Sequence, residues 1–148
     1  MLNDLYSSDL LEAAASIPTK EEMADADASA RKVSRVCGSE VEVHLKMDGD
    51  VVSDISLDVQ ACALGQASSS IFARAVRGAT LDEIARVRDE MHAMLKEDGP
   101  PPSGERWAEL KKLEPIRGYP ARHASTMLVF EAAADCADQI AARRVTPK

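Results

Sequence analysis

Aromatic residues are nearly missing. One Trp, two Tyr and two Phe make up 3% of the 148 residues, although 45% are hydrophobic, so the core must be built from Ala, Val, Leu, Ile and Met. Positive charge is short as well: 18 Lys and Arg stand against 25 Asp and Glu, a net charge of −7. A chain with neither a basic surface nor rings for base stacking is a poor fit to nucleic acid. No apolar run approaches the ~20 residues of a membrane-spanning helix. The N-terminal leucines are interrupted by Asp4, Asp9 and Glu12, unlike the apolar stretch of a signal peptide. A cytoplasmic location without a membrane partner is therefore expected. Cysteine is scarce and odd in number, three in all, which argues against a disulfide framework. Buried thiols and metal or sulfur chemistry in a reducing compartment both stay open. The length suits a single domain over residues 1–148.

What is present is strongly patterned. Leu5, Leu10, Leu11, Ala14 and Ile17 follow a helical period over residues 4–17, with Asn3 or Asp4 as cap and Pro18 beyond the end. Residues 19–31 show no period and read as a loop. A short strand is expected around residues 32–36. Val41, Val43 and Leu45 then alternate with polar residues, Asp48-Gly49 signals a hairpin, and Val51, Ile55, Leu57 and Val59 alternate on the return. His44 falls on the solvent face of its strand. A helix is predicted from Cys62 to Arg77, stopped by Gly78. Thr80 and Glu83 form a capping box for the next, which runs to about Leu95 through Ile84, Val87, Met91 and Met94. His92 lies beside that stripe, partly exposed. Residues 98–104 cannot be regular, and Trp107, Leu110 and Leu113 suggest a short helix. Pro120 opens a long last helix to about Arg144, with Val129, Ala133, Cys136 and Ile140 on one stripe. Strands followed by helices imply an α+β fold: a three-stranded antiparallel sheet covered on one face by helices, with a long C-terminal helix.

Three places in this layout carry chemistry. Cys37 ends a short strand just before Gly38. Cys62 stands at the foot of a helix, where unpaired N–H groups and the helix dipole favour a thiolate. His123 lies in the first turn of the last helix. Strand ends and helix starts at one edge of a small α+β domain are neighbours, so these three places are expected to meet. Thiolates and imidazole together suit zinc, iron or an iron–sulfur cluster. Cys136 lies on the apolar stripe and reads as core.

The local sequence adds to the spacing. Cys37-Gly38, the hairpin at Asp48-Gly49, and Ala61-Cys62-Ala63-Leu64-Gly65-Gln66-Ala67-Ser68-Ser69-Ser70 resemble the U-type iron–sulfur cluster assembly scaffolds (IscU, SufU and NifU type). Arg117-Gly118-Tyr119-Pro120-Ala121-Arg122 looks most like the SufU branch. The resemblance implies a SufE/NifU-like fold and a carrier function, not enzymatic turnover. Such a protein receives sulfur from a cysteine desulfurase, combines it with iron and passes a cluster to recipient apoproteins. It further implies that Cys37 and Cys62 are thiolate ligands or persulfide acceptors for iron or a cluster, 2Fe–2S rather than 4Fe–4S, or for zinc in the same site.

Two positions depart from the family pattern. The aspartate two places after the first cysteine is Ser39, whose hydroxyl does not supply an anionic oxygen. The third cysteine is missing, and two registers remain: Ser125 replaces it, or His123 is retained from a His-Cys pair with Ala124 in the cysteine's place. His123 is the third candidate ligand. Ser39 and Ser125 are possible oxygen ligands, and Gly38 and Arg122 are supporting residues. Two thiols and one imidazole are one ligand short of a closed four-coordinate site, which water, an external thiol or a second subunit in a homodimer would complete. The alternatives are a zinc-binding sulfur acceptor working with a desulfurase, and a metal-free adaptor that retains the fold.

Overall fold

The computed structural model describes residues 26–34, 38–61 and 63–145, excepting the side chains of residues 144 and 145. The expected helix over residues 4–17 lies outside the described residues, as do Cys37 and Cys62. In chain order come β1 (Ala28–Val33), β2 (Glu40–Asp48), β3 (Val51–Gln60), α1 (Ala63–Ala75) and α2 (Leu81–Lys96). A 3₁₀ segment (Glu105–Gly118), a 3₁₀ turn (Pro120–Arg122) and α3 (His123–Val145) follow. The strands form one antiparallel sheet in the order β1-β2-β3. Among the described residues no helix is long and apolar enough to cross a membrane.

The sheet turns Val41, Val43, Leu45, Val52 and Leu57 inward. β1 starts earlier than the expected strand around residues 32–36, taking in Ala28–Val33 from what reads as loop. The reason is the smallness of its inward residues: Ala28 and Ala30 are buried, yet two alanines give almost no hydrophobic periodicity. β3 departs from simple alternation as well. The pairing passes from Lys46–Asp54 to Met47–Val52, so Ser53 is an extra residue whose hydroxyl donates to the Lys46 carbonyl at 3.2 Å. This bulge moves the inward register by one and buries Val52 in place of the expected Val51.

α3 is the centre of the molecule, packed against β1 and β2 on one side and against α1 and α2 on others. Its buried residues therefore exceed the expected stripe, adding Met127, Leu128, Phe130, Ala132, Ala134 and Ala137. Three aromatic side chains meet at one junction. Phe72 of α1 stacks on Trp107 of the 3₁₀ segment at 5.8 Å between ring centroids and meets Phe130 of α3 edge-on at 5.5 Å. The expected short helix at Trp107 is a 3₁₀ segment of 14 residues. Its buried residues Trp107, Leu110, Leu113 and Ile116 recur every third position, matching three residues per turn rather than 3.6.

Candidate functional site

The β1–β2 connection closes on itself. Ser34 N–H donates to the Ser39 carbonyl at 2.8 Å, and Gly38 N–H donates to the Ser34 carbonyl at 2.9 Å. Gly38 has φ +71°, a left-handed conformation that suits glycine. Ser39, 4% exposed, is the first buried residue after Cys37 among those described. In the ladder Glu40 faces Gln60, so Ser39 and Ala61 lie at the same end of the sheet. Ser39 is two residues after Cys37 in sequence, and Ala61 directly precedes Cys62.

From Ala61 the chain enters α1 under tight constraint. Gln66 Nε2 donates to the Ala61 carbonyl at 2.9 Å. The hydroxyls of Ser68 and Ser69 both donate to the Gly65 carbonyl, at 3.1 and 2.7 Å. Gly65 has no room for a side chain: a Cβ there would lie 2.7 Å from Ala61 Cβ and 3.3 Å from the Ser125 carbonyl oxygen. The first turn of α1 thus rests directly on the first turn of α3.

The start of α3 is fixed in the same manner. Ser125 and Thr126 hydroxyls donate to the Arg122 carbonyl, at 3.2 and 2.9 Å. His123 is buried, and its Nε2 lies 3.0 Å from the Ile116 carbonyl and 3.2 Å from that of Arg117. Carbonyls only accept, so Nε2 carries a proton, and Nδ1 is the ring nitrogen these two bonds do not engage. Ser125 is 2% exposed, with its carbonyl oxygen beside Gly65 of α1, whereas Ala124 is exposed. Arg122 is half-buried, and its carbonyl is the shared acceptor for the two hydroxyls.

Ser39 and Ala61 thus share one end of the sheet, and Gly65 joins Ala61 to Ser125 in the first turn of α3; Gly38 and Ala61 are one residue from Cys37 and Cys62 in sequence. Among the described residues no group of three or more His, Cys, Asp and Glu could hold a metal ion, and the two cysteines are not among them. The other polar candidates lie elsewhere. Cys136 is buried, with its thiol 3.4 Å from the Val43 carbonyl, and burial pushes its pKa up to about 12, with Asp135 adding to the effect. It is a core thiol. His44 lies 3.3 Å from Glu42 on the outer side of the sheet, and His92 lies 3.7 Å from Glu97. Gly65 and Gln66 belong to the stretch that carries the resemblance, but the sequence assigned neither a role at the site.

Residues 10–124 match the family model of the NifU-like N-terminal domain. The chain is 28% identical over 123 residues to the iron–sulfur cluster assembly scaffold protein IscU of Thermotoga maritima, covering 80% of this chain and 82% of that protein. It is 23% identical over 99 residues to the zinc-dependent sulfurtransferase SufU of Bacillus subtilis, covering 65% of each. Among solved structures, the N-terminal part of a nitrogen-fixing NifU-like protein from Brucella abortus superposes with a TM-score of 0.92 at 51% identity, over 96% of this chain and 98% of that one. A SufU-type structure from Fervidobacterium islandicum shares the fold, with a TM-score of 0.82 at 18% identity, over 91% of this chain and 98% of that one.

Proposed function

This chain belongs to the NifU-like N-terminal domain family, and on that premise we propose that it is an assembly scaffold or carrier for iron–sulfur clusters rather than an enzyme. Its cargo is iron or a labile cluster held by Cys37 and Cys62. Its sulfur comes from a cysteine desulfurase, its product goes to recipient apoproteins, and its place is the cytoplasm. The observation that carries this reading is the close approach of Gly65 to Ser125. It joins the helix that follows Cys62 to the helix that begins with His123, at the sheet end where Gly38 and Ser39 follow Cys37.

The donor set is chemically suited to such cargo. Two thiolates are soft ligands for iron and zinc. A ligating imidazole characteristically donates its other ring N–H to a carbonyl or carboxylate, and His123 Nε2 does so to Ile116 and Arg117, leaving Nδ1 for a metal. The burial of Ser125, whose carbonyl oxygen lies beside Gly65, favours it over exposed Ala124 as the position of the missing cysteine. A fourth ligand comes from water, an external thiol or a second copy of the chain.

Anaerobic reconstitution with ferrous iron and sulfide tests the reading. Wild type is expected to gain sulfide-to-iron charge-transfer absorption, and Cys37→Ser and Cys62→Ser each to lose it; wild type without bands or bound metal sinks the proposal. His123→Gln keeps an N–H for the two carbonyls but has no imidazole. Loss of metal with this variant, at unchanged stability, marks His123 as a ligand. Restoring a thiol tests the register: Ser125→Cys should tighten zinc binding at least about tenfold by closing a four-coordinate site, and Ala124→Cys should not.

The relative from Bacillus subtilis is named for zinc-dependent sulfur transfer, which makes that activity the rival reading. Ser125 weighs against it. A hydroxyl forms no persulfide, and this one is engaged with the Arg122 carbonyl. No stimulation of desulfurase turnover by the protein would remove the rival.

A further inference from the structure

We propose that Gly65 is the positioning residue of the thiol site: by lacking a side chain it sets where Ala61, the residue before Cys62, lies relative to the first turn of α3. The inference rests on the scaffold reading above but concerns contacts of its own. Helix α1 begins at Ala63, so Gly65 is in its first turn, where glycine is a poor helix former and where φ is not of the left-handed kind that would call for it. Space is the reason for the residue. A Cβ at position 65 would lie 2.7 Å from Ala61 Cβ and 3.3 Å from the Ser125 carbonyl oxygen.

The two contacts are unequal. At 3.3 Å the Ser125 carbonyl has to give by a few tenths of an ångström. At 2.7 Å the Ala61 methyl has to move, and an alanine methyl moves only with its backbone. Nor can Gly65 retreat. Its carbonyl holds the hydroxyls of Ser68 and Ser69, whereas Ala61 is tied through its carbonyl to the side-chain amide of Gln66, which follows it on its own rotamers. A methyl at position 65 is therefore relieved by shifting Ala61, the residue before Cys62 in sequence, relative to the first turn of α3.

The experiment compares wild type, Gly65→Ala, Ala61→Gly, and the double variant Ala61→Gly/Gly65→Ala. Two readouts are used: zinc affinity by competition with a chromophoric chelator, and the alkylation rate of Cys62 in metal-free protein, followed by peptide mass spectrometry. Buried Cys136 serves as the reference thiol that stays unmodified while the protein is folded. Gly65→Ala is expected to weaken zinc about tenfold, the scale of a displaced ligand support. It should also change the Cys62 alkylation rate more than about threefold, because thiol reactivity follows its surroundings. The double variant is expected to return both to within about twofold of Ala61→Gly alone. Wild-type values for Gly65→Ala in both readouts would overturn the proposal. So would a double variant that is as impaired as Gly65→Ala or fails to fold, since the effect would then not run through Ala61. Failure of wild type to bind metal counts against the scaffold reading alone, because the alkylation rates of the metal-free variants still decide the role of Gly65.

Discussion

The two ends of the sheet are secured by different kinds of bond. At the hairpin end, the connection from α1 to α2 pairs onto β3, with Val52 N–H donating to the Ala79 carbonyl at 2.9 Å and Gly78 N–H to the Val52 carbonyl at 2.8 Å. Glu83 is the hub of that end. It closes the capping box with Thr80, accepts from Trp107 Nε1 at 2.9 Å and faces Arg106 Nε at 3.3 Å, while Arg106 also donates to the Arg77 carbonyl. At the other end, Gln66, Ser68, Ser69, His123, Ser125 and Thr126 all donate to main-chain carbonyls within seven residues of themselves. The first pattern ties separate elements to each other; the second stiffens the main chain locally at two helix starts. Precise placement of a few backbone atoms is what a site needs, and tying distant elements is what a fold needs.

Cutting the first pattern should therefore cost stability and spare the site. Trp107→Ala removes the stack on Phe72 and the donor to Glu83. It is expected to lower unfolding free energy by about 3–5 kcal/mol, as for other buried aromatic truncations, measured by urea unfolding. Zinc or iron bound per folded molecule should not change. A fall in stoichiometry under conditions where the variant is fully folded would mean that the two ends are coupled, and the contrast would break.

Glu83→Gln is the next smaller cut, expected to cost about 1–2 kcal/mol near neutral pH through weakened hydrogen bonds to a charged acceptor. It carries a pH signature. Burial pushes the Glu83 carboxyl up, but the Trp107 indole, the Thr80 N–H and Arg106 outweigh it, so the folded value lies below the ordinary 4.5. A depressed carboxylate stabilises fully above its unfolded value, and that contribution is lost as pH falls through the folded one. The gap between wild type and Glu83→Gln should thus be constant above about pH 6 and close below 4.5. A gap that persists in acid would assign the loss to packing.

These two ends were not equally legible in the sequence. Thr80 followed by Glu83 is a local signature with its own chemistry, and the structure forms both halves of the box. The alternation in β2 and the helical stripe of α2 were readable for the same reason, since their side chains report burial directly. What the sequence hid depends on absence or on distant partners. Ala28 and Ala30 are buried without being conspicuously hydrophobic. The bulge at Ser53 shifts the inward register without changing composition. The role of Gly65 lies in a missing methyl, and the Nε2 bonds of His123 depend on where the 3₁₀ segment ends. The period of three from Trp107 to Ile116 was visible as far as Leu113, and its fourth member is the one that shows the turn to be 3₁₀.

The smallest expected effect lies at the rim of the hairpin end. Asp54 accepts from Arg77 at 2.8 Å and from the Ile55 N–H at 2.9 Å. The Arg77 bond is the main reason that its carboxyl is held below the ordinary 3.8. By the same linkage, the contribution is present above that value and lost as pH falls through the lower folded one. Yet the side chains are 58% and 52% exposed for Arg77 and Asp54, and water screens such a pair to about 0.2–1 kcal/mol. Asp54→Asn should therefore cost a few tenths of a kcal/mol in urea unfolding at low salt, shrinking further at about 1 M salt, where the screening length is about 3 Å. A cost above about 1 kcal/mol that falls away with salt would place the hold on β3 in the exposed Arg77–Asp54 pair rather than in the Glu83 cluster. Ion pairing at the surface, not linkage through a partly buried carboxylate, would then be what sets the hairpin end apart from the cysteine end.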